Sequence, residues 1–188
     1  MKHWFLILII ISSLPLFSQG FKAGISAGFV ASQVDGDESS GYNKLGFQGG
    51  AYTRYLFNDK WSILSEMKFI QKGSKESNEE SMVYFSVRLN YVEVPLLLQY
   101  TLKEKFHIGA GLSIANLIGA TVEDANGKVS QNYLEYTTFD YNLLLNISFQ
   151  FYKHWIISNR FAYSVFPITK SSPRQFNNLI GLELKYEL

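Results

Sequence analysis

From Phe21 onward, apolar residues recur at every second position and not at the three-and-four spacing of a helix. Alternation of this kind places apolar side chains on one face of an extended strand and polar ones on the other. A chain patterned this way must build a sheet with two unlike faces. The run Tyr141, Leu143, Leu145, Ile147, Phe149, Phe151 is interleaved with Asp140, Asn142, Asn146, Ser148 and Gln150, and Leu144 alone interrupts it. The same beat carries Phe106, Ile108, Ala110, Leu112 and Ile114, and returns in Ile180, Leu182, Leu184, Tyr186 and Leu188.

Followed along the chain, the pattern predicts eight strands, at 21–34, 45–57, 61–72, 86–102, 106–118, 138–152, 155–166 and 176–188. The connections alternate in length. Asn58-Asp59-Lys60, Lys103-Glu104-Lys105 and Lys153-His154 are short and polar and suit tight hairpins. The segments near 35–44, 73–85, 119–137 and 167–175 are longer and rich in loop-forming residues. An even strand count with short turns at one end and long loops at the other is the bacterial outer-membrane arrangement. The fold expected is therefore all-β: an eight-stranded up-and-down antiparallel transmembrane β-barrel with short periplasmic turns and longer extracellular loops.

Aromatic placement decides which face is outside. On the apolar face, at the level of the short turns, almost every strand contributes a ring, among them Phe21, Tyr55, Trp61, Tyr100, Phe106 and Trp155. Such a ring of aromatics is an interfacial girdle. The other face combines glycines and small polar residues with ionisable ones. Arg54, Glu66, Lys68, Glu93, Arg160 and Glu183 are its candidate charge network, joined on the same face by Asp140 and Lys185. Eight strands enclose a lumen only wide enough to be filled by side chains, and buried charges there must pair. Arg54 and Glu66, on adjacent strands across the 58–60 turn, are expected in diagonal contact. Pro95 brings no N–H to the ladder, so it predicts a bulge or a locally missing bond.

Residues 1–20, MKHWFLILIIISSLPLFSQG, have a cation at Lys2, an apolar run from Trp4 to Ile11 and small residues at Ser18 and Gly20. This is the layout of a secretory signal peptide, cleaved after Gly20, with Gln19 and Ser18 as alternatives. The run is too short for a spanning helix, which needs about 20 apolar residues. Residues 21–188 then form one barrel domain. Of the 17 Lys and Arg only Lys2 lies in the first 20 residues, so 17 less one leaves 16 cations against 16 Asp and Glu. This neutrality argues against a nucleic-acid partner. With no cysteine there is no disulfide, thiolate metal site, cysteine nucleophile or lipidated N-terminal Cys.

The stretch Tyr91-Val92-Glu93-Val94-Pro95-Leu96-Leu97-Leu98-Gln99-Tyr100 closely resembles the Tyr-Leu-Glu-Ile-Pro-Leu-Leu-Leu-Lys-Tyr strand of the outer-membrane β-barrel family of Bacteroidota, often labelled PorT-like. Glu66 to Gly73 is similar to that family's strand with an inward Glu and a terminal Lys-Gly. Ile108 to Gly111 resembles its Gly-x-Gly strand, and Asn159 to Tyr163 its Arg-Tyr-x-Tyr strand. The chain departs from the pattern at Ser164-Val165, where Gly-Leu is usual, and at Leu188, where Phe is usual. The resemblance implies residence in the cell outer membrane among lipid and lipopolysaccharide, and delivery by the barrel-assembly machinery. The family label is also that of a secretion-system component, but most members have no assigned activity and that role is not transferred.

No catalytic constellation, cofactor site or metal site is expected. The domain's two histidines, His107 and His154, sit beside short turns, the first as a luminal filler and the second as a turn residue. Asp35, Asp37 and Glu38 lack the ligand spacing of a calcium loop. Gly109-Ala110-Gly111 lies within an alternating strand with no helix after it, so it is no phosphate loop. Asn146-Ile147-Ser148 reads as a glycosylation sequon but falls in a lipid-embedded strand. The first three long loops are net acidic, through residues such as Glu79, Glu80, Asp124 and Glu135 beside Lys128, and the fourth is basic through Lys170 and Arg174. A protein partner would be met there. The expected function is a non-enzymatic integral outer-membrane barrel with a plugged polar lumen and a structural or loop-mediated role. The alternative is a soluble periplasmic or secreted barrel holding an apolar ligand.

Overall fold

The computed structural model describes residues 20–37, 41–76, 86–123, 129–130 and 135–188. The segment read as a signal peptide, all but Gly20, lies outside them, as do Glu38, Glu79, Glu80, Asp124 and Lys128. The strands are β1 (Phe21–Asp35), β2 (Lys44–Leu56), β3 (Trp61–Lys75), β4 (Ser86–Lys103), β5 (Phe106–Glu123), β6 (Val129–Ser130), β7 (Phe139–Tyr152), β8 (Trp155–Ser164) and β9 (Phe176–Glu187). All pairings are antiparallel. β1 bonds to both β2 and β9, and β4 to β5, so eight strands close on themselves and β6 adds a two-residue ribbon to the far end of β5. Closure leaves the eight-strand wall without an edge, which is what lets a sheet stand in lipid.

The wall follows the alternation. In β7, Leu143, Leu145 and Ile147 are more than half exposed, while Asp140, Asn142 and Asn146 are buried inside. Leu144 is not an exception to the pattern: it faces inward and is 1% exposed. It belongs to an interior apolar cluster with residues such as Ile70, Leu89, Tyr91 and Leu97, which the expectation of a small and ionisable lumen did not include. The outer apolar face and polar interior are the reverse of a soluble carrier's.

At the short-turn end the rings meet in cross-strand pairs. Phe21 lies 4.6 Å from Tyr55, Trp61 4.9 Å from Tyr100, Phe106 5.4 Å from Phe149 and Trp155 5.0 Å from Tyr186. The turn beneath Trp61 is held by Asn58, whose Oδ1 accepts from the N–H groups of Lys60 and Trp61, both at 2.9 Å. This is the local bonding that suits Asn to turns. At the other end β3 and β5 run past their expected ends, to Lys75 and Glu123. Gly73, with φ of 144°, carries β3 onward, and a Cβ there would meet the Val87 carbonyl.

Pro95 interrupts the wall in one place. β3–β4 pairing stops at Ser65↔Leu96 and resumes in the same register at Lys68↔Glu93. The missing pairs place the Pro95 nitrogen against the Glu66 carbonyl. One absent N–H accounts for the gap, with no extra residue and hence no bulge on this side.

Candidate functional site in the barrel lumen

Inward-facing residues of β1–β4 and β7–β9 form a column of charge along the barrel. Toward the short turns, Arg54 on β2 pairs with Glu187 on β9, which also receives Lys22 Nζ at 2.8 Å. His107 completes this layer, its ring nitrogens 3.0 Å from Thr101 Oγ1 and 3.5 Å from the Arg54 guanidinium.

The middle layer is centred on Glu66. Arg160 donates to both of its carboxylate oxygens, at 2.7 and 2.9 Å, and Lys185 donates to Oε1. Lys68 donates to Glu183 at 2.5 Å and to Gln48 Oε1 at 2.9 Å, and lies 3.4 Å from Glu66. Glycine makes room for this layer: Gly50 is opposite Lys68 and Gly28 opposite Glu183. A Cβ at either would meet neighbouring backbone.

Toward the long loops, Lys72 bridges Asp140 at 3.0 Å and Glu93 at 3.2 Å. Asp140 accepts as well from Ser164 Oγ at 2.7 Å and Asn177 Nδ2 at 2.9 Å, and Lys72 lies over the ring of Tyr91. Among the described residues below the rim at Lys44, five buried cations (Arg54, Lys68, Lys72, Arg160, Lys185) face five buried carboxylates (Glu66, Glu93, Asp140, Glu183, Glu187). Such balance is what makes charge tolerable in a dry interior. The cavity beside Tyr52, Arg54 and His107 measures only about 10 Å³.

The structure places Arg54, Glu66, Lys68, Glu93, Arg160 and Glu183 inside the barrel, each within 4 Å of an oppositely charged group. The expected Arg54–Glu66 contact does not form. Arg54 is opposite Leu64 and Glu66 opposite Tyr52; closure of the barrel brings Glu187 to Arg54 and Arg160 to Glu66. Five charged participants stand outside the six: Lys22, Lys72, Asp140, Lys185 and Glu187. Lys72, Lys185 and Glu187 share the parity of the six along β3 and β9, and Lys22 and Asp140 lie on the polar parity of β1 and β7, which is the signal that finds them.

Other candidates fall into ordinary places. His154 Nδ1 is 2.8 Å from the Glu187 carbonyl in its turn. Asp35 accepts from Gln33 Nε2 at 2.7 Å. Among the described residues no three His, Asp or Glu are grouped to hold a metal ion. Outside the membrane, loops three and four are tied by backbone bonds from Thr137 N to the Ile168 carbonyl, 2.8 Å, and from Lys170 N to the Glu135 carbonyl, 2.9 Å. Tyr136 is packed into this joint, where burial, with Glu135 and Asp37 nearby, pushes its phenol up to about 12.

Comparison with known proteins agrees with this geometry. No curated protein matches the sequence. Among solved structures, Ail, the attachment invasion locus protein of Yersinia pestis, in complex with the heparin analogue sucrose octasulfate, is 16% identical with a TM-score of 0.56, covering 90% of this chain and 100% of that one. Neisserial surface protein A is 12% identical with a TM-score of 0.59, over 90% of this chain and 98% of that one. At these identities the likeness is one of fold. A family model described as "Outer membrane protein beta-barrel domain" matches residues 16–170. The chain therefore belongs to the outer membrane protein beta-barrel domain family, and its closed barrel lies in the outer membrane.

Proposed function

We propose that the protein is a non-enzymatic barrel whose ion-paired lumen is a structural plug, and that the barrel serves as a rigid mount for its long loops. The observation that carries this reading is the charge-balanced set of buried side chains from Arg54 to Lys72, ion-paired in three successive layers, with Arg160 reaching Glu66 across the middle one. A path for ions would need water between those groups, and they contact one another instead. His107 and His154 hydrogen-bond to Thr101 and to the Glu187 carbonyl, both at the short-turn end of the barrel.

In this proposal residues 1–20 are removed on export, the assembly machinery inserts residues 21–188, and the long loops face outward among lipopolysaccharide. The PorT-like assignment within Bacteroidota rests on the Tyr91–Tyr100 strand. The sucrose octasulfate of the Ail complex suggests no such ligand here, because three of the four long loops carry net negative charge in the sequence. A partner with a basic surface fits them better. The test is conductance of the purified full barrel in planar bilayers. Steady ion conduction comparable to an open pore would refute the plug; an electrically silent barrel that resists protease in vesicles is expected.

A further inference from the structure

Among the described residues, the lipid-facing wall carries one amide side chain deep in its apolar belt, where the other polar side chains, Thr53 and Ser65, are short hydroxyls. Asn159 is exposed on β8, opposite Ile147 of β7 and Leu182 of β9. It lies four residues beyond the girdle ring of Trp155, about 10 Å along the barrel axis for tilted strands, in an apolar band about 25 Å tall. Among the described residues its amide has no hydrogen-bond partner; Asn146 Nδ2 reaches only its backbone carbonyl, at 3.0 Å.

Beside Asn159 the convex wall is dented. A groove of about 670 Å³ runs over Gly109 and Ala110, flanked by Leu98 and Tyr100 on one side and by Phe161 and Asn159 on the other. Ala110 sits between Leu98 and Leu145 in one cross-strand row, so a small side chain interrupts a row of large ones.

We propose that this β5–β7–β8 face binds a second copy of the chain, forming a two-fold dimer within the membrane. Lipid tails can fill the groove but offer nothing to an amide, and an unmet polar group in hydrocarbon is costly. Two copies inserted in the same direction are related by an axis along the membrane normal, which brings both Asn159 side chains to the same depth. Each amide has a donor and an acceptor, so the pair satisfies itself through reciprocal bonds, in an isologous contact. Two round barrels otherwise meet along a line. The dent over Ala110 lets the walls approach more closely, as small residues do between membrane segments. The inference rests on the barrel standing in a bilayer and is independent of whether its lumen conducts.

The chain has no cysteine, so Asp59→Cys in a short turn gives one labelling site. Donor- and acceptor-labelled full barrels, reconstituted in phosphatidylcholine vesicles, should show energy transfer that grows with the protein-to-lipid ratio. Asn159→Leu should weaken association about fivefold to tenfold, whereas Thr53→Leu on a distant outer wall should leave it unchanged. In the label-free chain, Asn159→Cys should crosslink between copies under mild oxidation and Thr53→Cys should not, a readout that stands even if the leucine variant folds poorly. A wild-type barrel that stays monomeric at every ratio, with only lipid in the groove, would overturn the proposal. So would an Asn159→Leu barrel that associates like wild type, or crosslinking equal at the two positions.

Discussion

Arg160 and Glu66 are joined across the full width of the lumen. The guanidinium reaches from β8 to both carboxylate oxygens of Glu66 on β3, and in the order of the closed sheet these strands are four apart in either direction. The pair braces opposite walls, where an adjacent-strand pair would brace only a hairpin. Lys185 and Lys68 share the same carboxylate, so its neutralisation is distributed over three cations on two other strands and its own.

Arg160→Ala leaves Glu66 and Glu183 short of a cation in a buried site, and the barrel should lose about 3–5 kcal/mol of stability. Arg160→Lys keeps the charge but cannot grip two oxygens at once. Its loss should be smaller, about 1.5–3 kcal/mol for one charge-assisted bond. Urea unfolding from lipid vesicles measures both, and equal losses for the two variants would show that charge alone matters there.

At Pro95 the Glu66 carbonyl faces a nitrogen without hydrogen, and pairing is lost only at that point. Pro95→Val supplies the donor with little change in volume. The barrel should gain about 0.5–1.5 kcal/mol, seen as a higher urea midpoint with an unchanged slope. A variant that is destabilised instead would indicate that the ring of Pro95 is required for packing.

Sidedness follows from the contrast of short turns with long loops. A tag after Gly127 should be labelled by an impermeant reagent on intact cells, and one within the Lys103–Lys105 turn only after the outer membrane is opened. The reverse result would invert the orientation.

What the sequence disclosed and what it hid have a common physical origin. Parity along a strand is local, so the inward Asn146, the outward Leu145 and the girdle pair Trp61 and Tyr100 could all be read from spacing. Partners across the lumen depend on which strands closure brings face to face, and Arg54 was accordingly assigned to Glu66 when closure gives it Glu187. Lys72 was missed as a luminal cation because it lay at an expected strand end, just before parity breaks at Gly73 and Ser74, both of them buried. Asn159 was legible as outward-facing only once Arg160 was placed inside.

The choice of outer face makes the sharpest prediction. Leu145 is 59% exposed near the middle of the apolar band, and Phe151 is 49% exposed beside the short turn that follows β7. An Arg at the lipid-facing midplane of a membrane barrel costs about 2–4 kcal/mol, and about 0–1 near the interfaces. Leu145→Arg should therefore impair folding into vesicles far more than Phe151→Arg. Thinner bilayers should narrow the difference, because the midplane position comes closer to the headgroups, where the long side chain reaches water. Folding efficiency across lipids of graded chain length measures this dependence. Equal penalties at the two positions, at every thickness, would mean that neither side chain faces the hydrocarbon.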